Sequence, residues 1–189
     1  MKQMGLTLIE LLISLGIVIL IGVLLLTIMV NTLGLFYKES STLTQGLSIN
    51  DALSKIRSAV KQSSAVVPSF TSGVTYTSST IQLILKVTSV DSSNNLIANT
   101  FDYFVFFLDE GKLRFKTYPD VLSSRDFQDQ IFSTNVKSLE FKYLDLQNPP
   151  SEVVPDTASK VRVLLILQQK SGVDFETITA TSEASLRND

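Results

Sequence analysis

The chain contains no cysteine and no histidine among its 189 residues. Without cysteine there is no disulfide stapling, no thiol catalysis and no thiolate metal site. That absence leaves the compartment open. The missing histidine excludes more. It removes the commonest metal ligand and the usual general base near neutral pH, so Ser-His-Asp, Cys-His and His-zinc chemistry are unavailable. Charge of one sign is scarce as well. The formal net charge of -2 is too small to imply a nucleic-acid or polyanionic partner. A chain of this length suggests one modest core with an appendage.

What the chain does have is a long apolar run near its start. Between Leu6 and Val30 the clearly polar side chains are Thr7, Glu10, Ser14 and Thr27. As a helix this stretch spans roughly 37 Å, enough to cross a hydrocarbon core of about 30 Å. It is too long and too evenly apolar for an ordinary amphipathic helix. Gly16 and Gly22 would weaken a soluble helix but let membrane helices approach closely. Glu10 is a carboxylate in a segment otherwise fit for lipid, a costly placement that points to a role.

Two plain readings of this run fall short. A secretory signal peptide has an apolar stretch of about 7–15 residues and then a small-x-small site. Here the run is longer, and Asn31-Thr32-Leu33-Gly34-Leu35 offers no convincing site. A simple single-pass anchor explains the length but leaves Glu10 and the preceding Gly5 without a role. Basic residues do not orient it, with Lys2 upstream and Lys38, Lys55, Arg57 and Lys61 downstream.

Gly5-Leu6-Thr7-Leu8-Ile9-Glu10-Leu11-Leu12-Ile13 resembles the processing motif of type IV prepilins and type II secretion pseudopilins. Thr7 matches the common second mature residue, and Leu6 stands where Phe is usual. The resemblance implies a leader, residues 1–5, whose charge comes from Lys2. It implies cleavage between Gly5 and Leu6 by a prepilin peptidase, N-methylation of Leu6, and Glu10 as fifth mature residue. The physical sense of that arrangement is separable from the family. Cleavage would give Leu6 a free α-amine, largely protonated at neutral pH, one helical turn from Glu10. Once water is excluded an unpaired carboxylate is expensive and a well-placed pair is tolerable. Glu10, with Thr7 beside it, is then expected to act as a registry device that penalises assembly out of step.

Helical patterning continues past the run. Leu43, Leu47, Ile49, Leu53, Ile56 and Val60 recur at helical spacing, with Asp51 and Lys55 at i, i+4 on the other side. Pro68 and Gly73 mark a stop. The pattern predicts one helix from about Leu6 to Ala65, with loosening near Asn31–Gly34. After Thr75 the period changes to two, at Ile81–Val87, Phe101–Phe107, Leu113–Thr117, Leu139–Tyr143, Val161–Leu167 and Phe175–Thr181. Asp109-Glu110-Gly111-Lys112 reads as a hairpin turn. Phe104 and Phe106 make the Phe101–Phe107 strand apolar on both faces. It is either a central strand buried on both sides or a strand with one face free for a neighbouring subunit.

The expected fold is α+β, a long N-terminal helix packed on an antiparallel, largely meandering β domain. Its divisions are residues 6–30 for the membrane and assembly helix, 31–66 for its amphipathic continuation and 67–189 for the β domain. Within the family the tail most resembles minor pseudopilin J and PilW-like minor pilins. The resemblance rests on Tyr103 to Phe115, Val136 to Tyr143 and the Ser185-Leu186-Arg187-Asn188 ending.

Other chemistry has weaker sequence support. Asp109/Glu110 reads as a turn, Asp126/Asp129 as loop or helix-start charge, and Asp145 as loop. No segment has the EF-hand spacing, so no metal is expected. Ser58-x-x-Lys61 lacks the companion motifs of a serine–lysine enzyme and reads as a solvated helix face. Ser151-Glu152 reads as loop. No phosphate-binding loop or basic-aromatic nucleic-acid patch is present in the sequence.

The expectation is a structural subunit of a type IV pilus or secretion pseudopilus, with no catalytic residue and no cofactor. The implied partners are the prepilin peptidase, other pilins or minor pseudopilins, and membrane lipid. The implied location is the bacterial inner membrane, with the β domain outside the cytoplasm. A competence pseudopilin or surface adhesin, and an unprocessed anchored domain, are the alternatives.

Overall fold

The computed structural model describes residues 7–187 except 172–173, and of residues 37–47, 169–171 and 174 the backbone alone. One helix, α1, runs without interruption from Leu8 to Gln62, 55 residues. At 1.5 Å per residue that is about 83 Å. The expected loosening at Asn31–Gly34 does not occur. Thr32 donates its hydroxyl to the Ile28 carbonyl at 2.8 Å, inside an unbroken helix.

The helix ends sooner than its pattern suggested. The Ser63 hydroxyl donates to the Val60 carbonyl at 2.7 Å, and the Ser63 N–H turns to the same oxygen. A serine that satisfies the last turn in this way competes with further helix. Residues Ser63–Val66 instead form strand β1. The segment 31–66 is therefore helix only to Gln62.

Three sheets follow, every pairing antiparallel. Strands β4 (Gln82–Val90), β5 (Leu96–Asp109), β6 (Lys112–Tyr118) and β7 (Gln128–Ser133) make a meander, and β1 joins it beside β4. Strands β8 (Val136–Leu144), β9 (Lys160–Ser171) and β10 (Asp174–Ser185) make a second meander. A small hairpin, β2 (Ser69–Ser72) and β3 (Val74–Thr77), stands apart. The α+β arrangement and the antiparallel sheet are as expected.

The turn between β5 and β6 is formed by Glu110 and Gly111, with φ of 47° and 74°. Positive φ at both central residues gives the twist that joins two antiparallel strands in register. Period-two alternation then sorts the side chains. Leu83, Leu85 and Val87 on β4, with Phe104 and Phe106 on β5, face α1. There they meet Ile49, Ala52, Leu53, Ile56 and Val60, all buried, and Leu139, Phe141, Val163 and Leu165 from the second meander.

The opposite face of β4 and β5 has its own small core. Ile84 and Val105 are buried there with Tyr76 of the β2–β3 hairpin. Strand β5 is thus central and covered on both faces where Phe104, Val105 and Phe106 sit. The two meanders are stitched where β8 passes the start of β4. Phe141 N–H donates to the Thr80 carbonyl at 2.7 Å. The Tyr143 hydroxyl reaches the Ser79 and Gln82 carbonyls, each at 2.9 Å.

Candidate functional site

The expected site residues lie at the beginning of α1. Lys2, Gly5 and Leu6 fall outside the described residues. Thr7 and Glu10 are described and are brought together. Thr7 is the N-cap, in extended conformation, and its hydroxyl accepts from the Glu10 N–H at 3.4 Å. The Glu10 carboxylate accepts from the Thr7 N–H at 3.0 Å and from the Thr7 hydroxyl at 2.9 Å. This is a reciprocal capping box. It satisfies helix-end N–H donors and sets a negative charge against the positive end of the helix dipole. The sequence signal for this box is Thr-x-x-Glu directly before an apolar run.

The same reciprocity explains how a polar residue is tolerated along this helix. Ser14 donates to the Glu10 and Leu11 carbonyls at 2.8 and 3.0 Å, and Thr27 donates to the Val23 carbonyl at 2.9 Å. Hydroxyls bonded back to their own helix leave no orphan donor in an apolar medium. The stretch Leu8–Phe36, 29 residues, is long and apolar enough to cross a membrane. Its side chains are uncovered, Leu8 at 79% and Val30 at 66% exposure. Nothing within 4 Å would meet a Cβ added at Gly16, Gly22 or Gly34, so the domain offers this half of the helix no packing partner.

Asp109, Asp129 and Asp145 are engaged in ion pairs or loop bonds. Asp129 lies on β7, neither loop nor helix start, because β7 extends the first meander. Arg114 bonds Asp129 and Asp109, each at 2.8 Å, and Lys116 lies 3.5 Å from Asp129. Asp145 accepts from the Gln147 and Ser151 N–H groups at 3.1 and 2.8 Å, ordering its own loop. Among the described residues no group of three or more His, Cys, Asp or Glu could hold a metal ion. Ser58 and Lys61 are both exposed on α1, and the Ser58 hydroxyl accepts from Gln62 Nε2 at 3.1 Å.

One charged residue was not singled out by sequence. Asp102 on β5 is fully buried, on the face shared with Phe104 and Phe106. Its carboxylate accepts from the Ser89 hydroxyl at 2.7 Å, the Asp120 N–H at 2.9 Å and the Ser123 hydroxyl at 2.9 Å. Arg125 donates to it at 2.5 Å and to the Thr88 carbonyl at 2.8 Å. Burial pushes the Asp102 carboxyl up, but the bonds from Asp120, Ser89, Arg125 and Ser123 together outweigh it and hold it below the ordinary aspartate value. A buried ion pair is weak evidence for stability by itself. What this one does is position. It ties the β6–β7 loop to the middle of β5 and the end of β4.

That loop walls a cleft of about 430 Å³ on the hairpin side of the first meander. Its rings are Phe70, Phe101, Tyr103, Tyr118 and Phe127, with Asp120 among them. Phe70 stacks on Tyr103 with centroids 4.2 Å apart, and Phe127 stands edge-on to Tyr118 at 5.5 Å. Pocket and span lie at opposite ends of the domain, since Tyr103 pairs with Lys86 and Lys86 with Ala65, just past the end of α1. No protein-family model matches this chain, and no curated protein matches it either.

Proposed function

We propose that this chain is a minor-pilin-like structural subunit of a type IV pilus or type II secretion pseudopilus. Its work is mechanical. Leu6–Val30 holds it in the bacterial inner membrane before assembly, the β domain faces outward, and the uncovered helix packs among helices of other subunits. A prepilin peptidase cuts after Gly5, and the new amine on Leu6 is methylated. The chain itself performs no catalysis.

The observation that carries this reading is the division of labour along one helix. Residues 8–36 have no cover from the domain, whereas Ile49–Val60 form the middle of its core. A rod with one half built into a domain and the other bare suits a subunit that assembles through its helix. The carboxylate at the bare end, with the Gly-x-Thr-x-x-Glu spacing before it, supplies the processing and registry elements.

A second reading is favoured by the capping box. Glu10 already has a partner in Thr7 without any cleavage, so the bare half could serve as a plain anchor. Intact-mass measurement on membrane-extracted protein separates the two. Loss of Met1–Gly5 with one methyl group gained supports the subunit reading. Retention of Met1–Gly5 overturns it.

A further inference from the structure

We propose that β7 of one copy of this chain pairs, edge to edge and antiparallel, with β10 of a second copy. Each strand is the last in its sheet, and among the described residues no strand pairs with the far edge of either. A free edge presents unpaired N–H and C=O groups and accepts another strand unless proline, lysine, a bulge or a covering element blocks it. Neither strand has a proline or a lysine. Strand β10 pairs with β9 along all 12 of its residues without a register shift. The one shift of β7 against β6 falls between Ile131 and Ser133, leaving residues 128–131 regular.

The helix leaves both edges open. Ser182 and Ala184 of β10 are buried while Thr181 and Glu183 are exposed, so α1 lies on the face of β10 and not across its edge. On the other side a cleft of about 440 Å³ separates α1 from β7, with Ser58 and Gln62 on one wall and Gln128 and Gln130 on the other. Edge charge is already paired within each copy, Asp129 with Arg114 and Lys116, and Glu183 with Arg162.

Direction selects the partner. Ser48 on α1 meets Ser133 at the end of β7, and Gln62 shares its cleft with Gln128 at the start of that strand. Strand β7 therefore runs against α1. Arg57 bonds Ser182, and the Ser63 carbonyl accepts from the Arg187 N–H, so β10 runs with α1. Ser48 and Arg57 are about 180° apart round the helix, which puts the two edges on opposite flanks of α1. A sideways step then sets β10 of a second copy beside β7 of the first, antiparallel. Both helices point the same way and lie on the same side of one continuous sheet. Antiparallel pairing of β10 with β10, or of β7 with β7, points the helices in opposite directions, which anchorage from one side of a membrane forbids. The contact is heterologous, and it repeats from copy to copy. It needs parallel helices but no cleavage after Gly5, so intact mass tests the processing and crosslinking tests the pairing.

The test uses the full chain reconstituted in lipid vesicles. The chain has no cysteine, so each thiol introduced is the only one at its strand. Ile131 on β7 lies in the row of Arg114, opposite to the core-facing Phe115, and is exposed. Thr177, Thr179 and Thr181 on β10 are exposed and alternate with the inward-facing Ile178, Ala180 and Ser182. Opposed residues on antiparallel strands hold their Cα atoms about 4.5–5.5 Å apart, within disulfide reach. Ile131→Cys is mixed with Thr177→Cys, Thr179→Cys or Thr181→Cys under copper-phenanthroline oxidation. At least one mixture is expected to form dimer at least about tenfold faster than Ile131→Cys mixed with Val121→Cys, an exposed position on neither edge. A chain carrying Ile131→Cys and the reactive β10 cysteine together is expected to give a ladder of trimers and longer products. Dimer formed as fast by one variant alone or by the Val121→Cys control overturns the proposal. So does the absence of mixed product at all three β10 positions, and a double variant that stops at dimers overturns the repeating contact.

Discussion

The Arg125 guanidinium meets the Asp102 carboxylate at 2.5 Å, with Asp102 having no exposed surface and Arg125 keeping 22% of its own. The guanidinium also lies 5.7 Å from the ring of Phe104. This pair therefore closes the end of the main core at the same time as it anchors the β6–β7 loop.

Removing one partner of such a pair strands the other. Asp102→Ala is expected to destabilise the domain by about 3 kcal/mol, the low end for breaking a buried pair because Arg125 is partly solvated. Thermal unfolding followed by near-ultraviolet circular dichroism reads the loss. A variant as stable as the parent would show that the loop is held by other contacts.

The same carboxylate predicts an acid limb. Its folded pKa is depressed, so its contribution to stability is full above the ordinary aspartate value of about 3.9 and is lost as pH falls through the folded value. Stability due to Asp102 is expected to be flat from neutral pH down to that range and to fall below it. Asp102→Asn should abolish that part of the acid dependence, which paired unfolding curves at several pH values measure.

Two tyrosines predict an alkaline limb. Burial raises the Tyr143 hydroxyl above the ordinary value, and burial with the Tyr76 contact raises Tyr118. A raised folded pKa stabilises the neutral form, so that contribution is present below about 10 and disappears as pH rises through the folded values. Spectrophotometric titration, with Tyr118→Phe and Tyr143→Phe to assign the signals, is expected to show Tyr118 and Tyr143 ionising late, together with unfolding. Ionisation of Tyr118 and Tyr143 near the ordinary value in folded protein would contradict this.

Ile56 is 1% exposed at the centre of the α1 face. Ile56→Ala is expected to cost about 2–5 kcal/mol and Ile56→Val about 0.5–1.5 kcal/mol. Denaturant unfolding in micelles distinguishes them, and the far-ultraviolet signal of the bare half of α1 should persist through the transition.

At the turn, Gly111 has a φ of 74°, and an added Cβ would lie 3.6 Å from the Val136 carbonyl oxygen, ordinary contact. Gly111→Ala is thus expected to show the backbone penalty with little steric addition, about 1–2 kcal/mol. A loss of more than twice that, by the same unfolding assay, would mean that the turn had moved.

Periodicity carried most of the architecture. The steps from Ile49 to Val60 and the alternations from Ile81 to Leu167 depend on one chemical distinction, apolar against polar, and burial enforces it. Strand β1 escaped because Ser63-Ser64-Ala65-Val66 has no alternation and follows a helix without a gap. Strand β7 escaped because its residues are mostly polar and exposed, and it is held by ladder bonds to β6. Asp102 was hidden for a different reason. A carboxylate between Phe101 and Tyr103 reads as pointing outward, and its partners are scattered, Ser89 before it and Ser123 and Arg125 some twenty positions after it. The cleft rings are similarly dispersed, from Phe70 to Phe127. At the start of α1, Thr7 and Glu10 were legible as a pair of interest, and their capping geometry needed only the local Thr-x-x-Glu pattern.

Strand β10 runs in the same direction as α1, with Ser182 bonded to Arg57 and Arg187 N–H reaching the Ser63 carbonyl at the helix's end. Tension applied along the bare half of the helix would therefore act lengthwise on its seat between the sheets. Ile49, Leu53, Ile56 and Val60 would be loaded all at once, in shear, with no single contact peeled open ahead of the rest. Such a joint yields only when most of its contacts give way together, so the domain is built to stay attached when its tether is pulled.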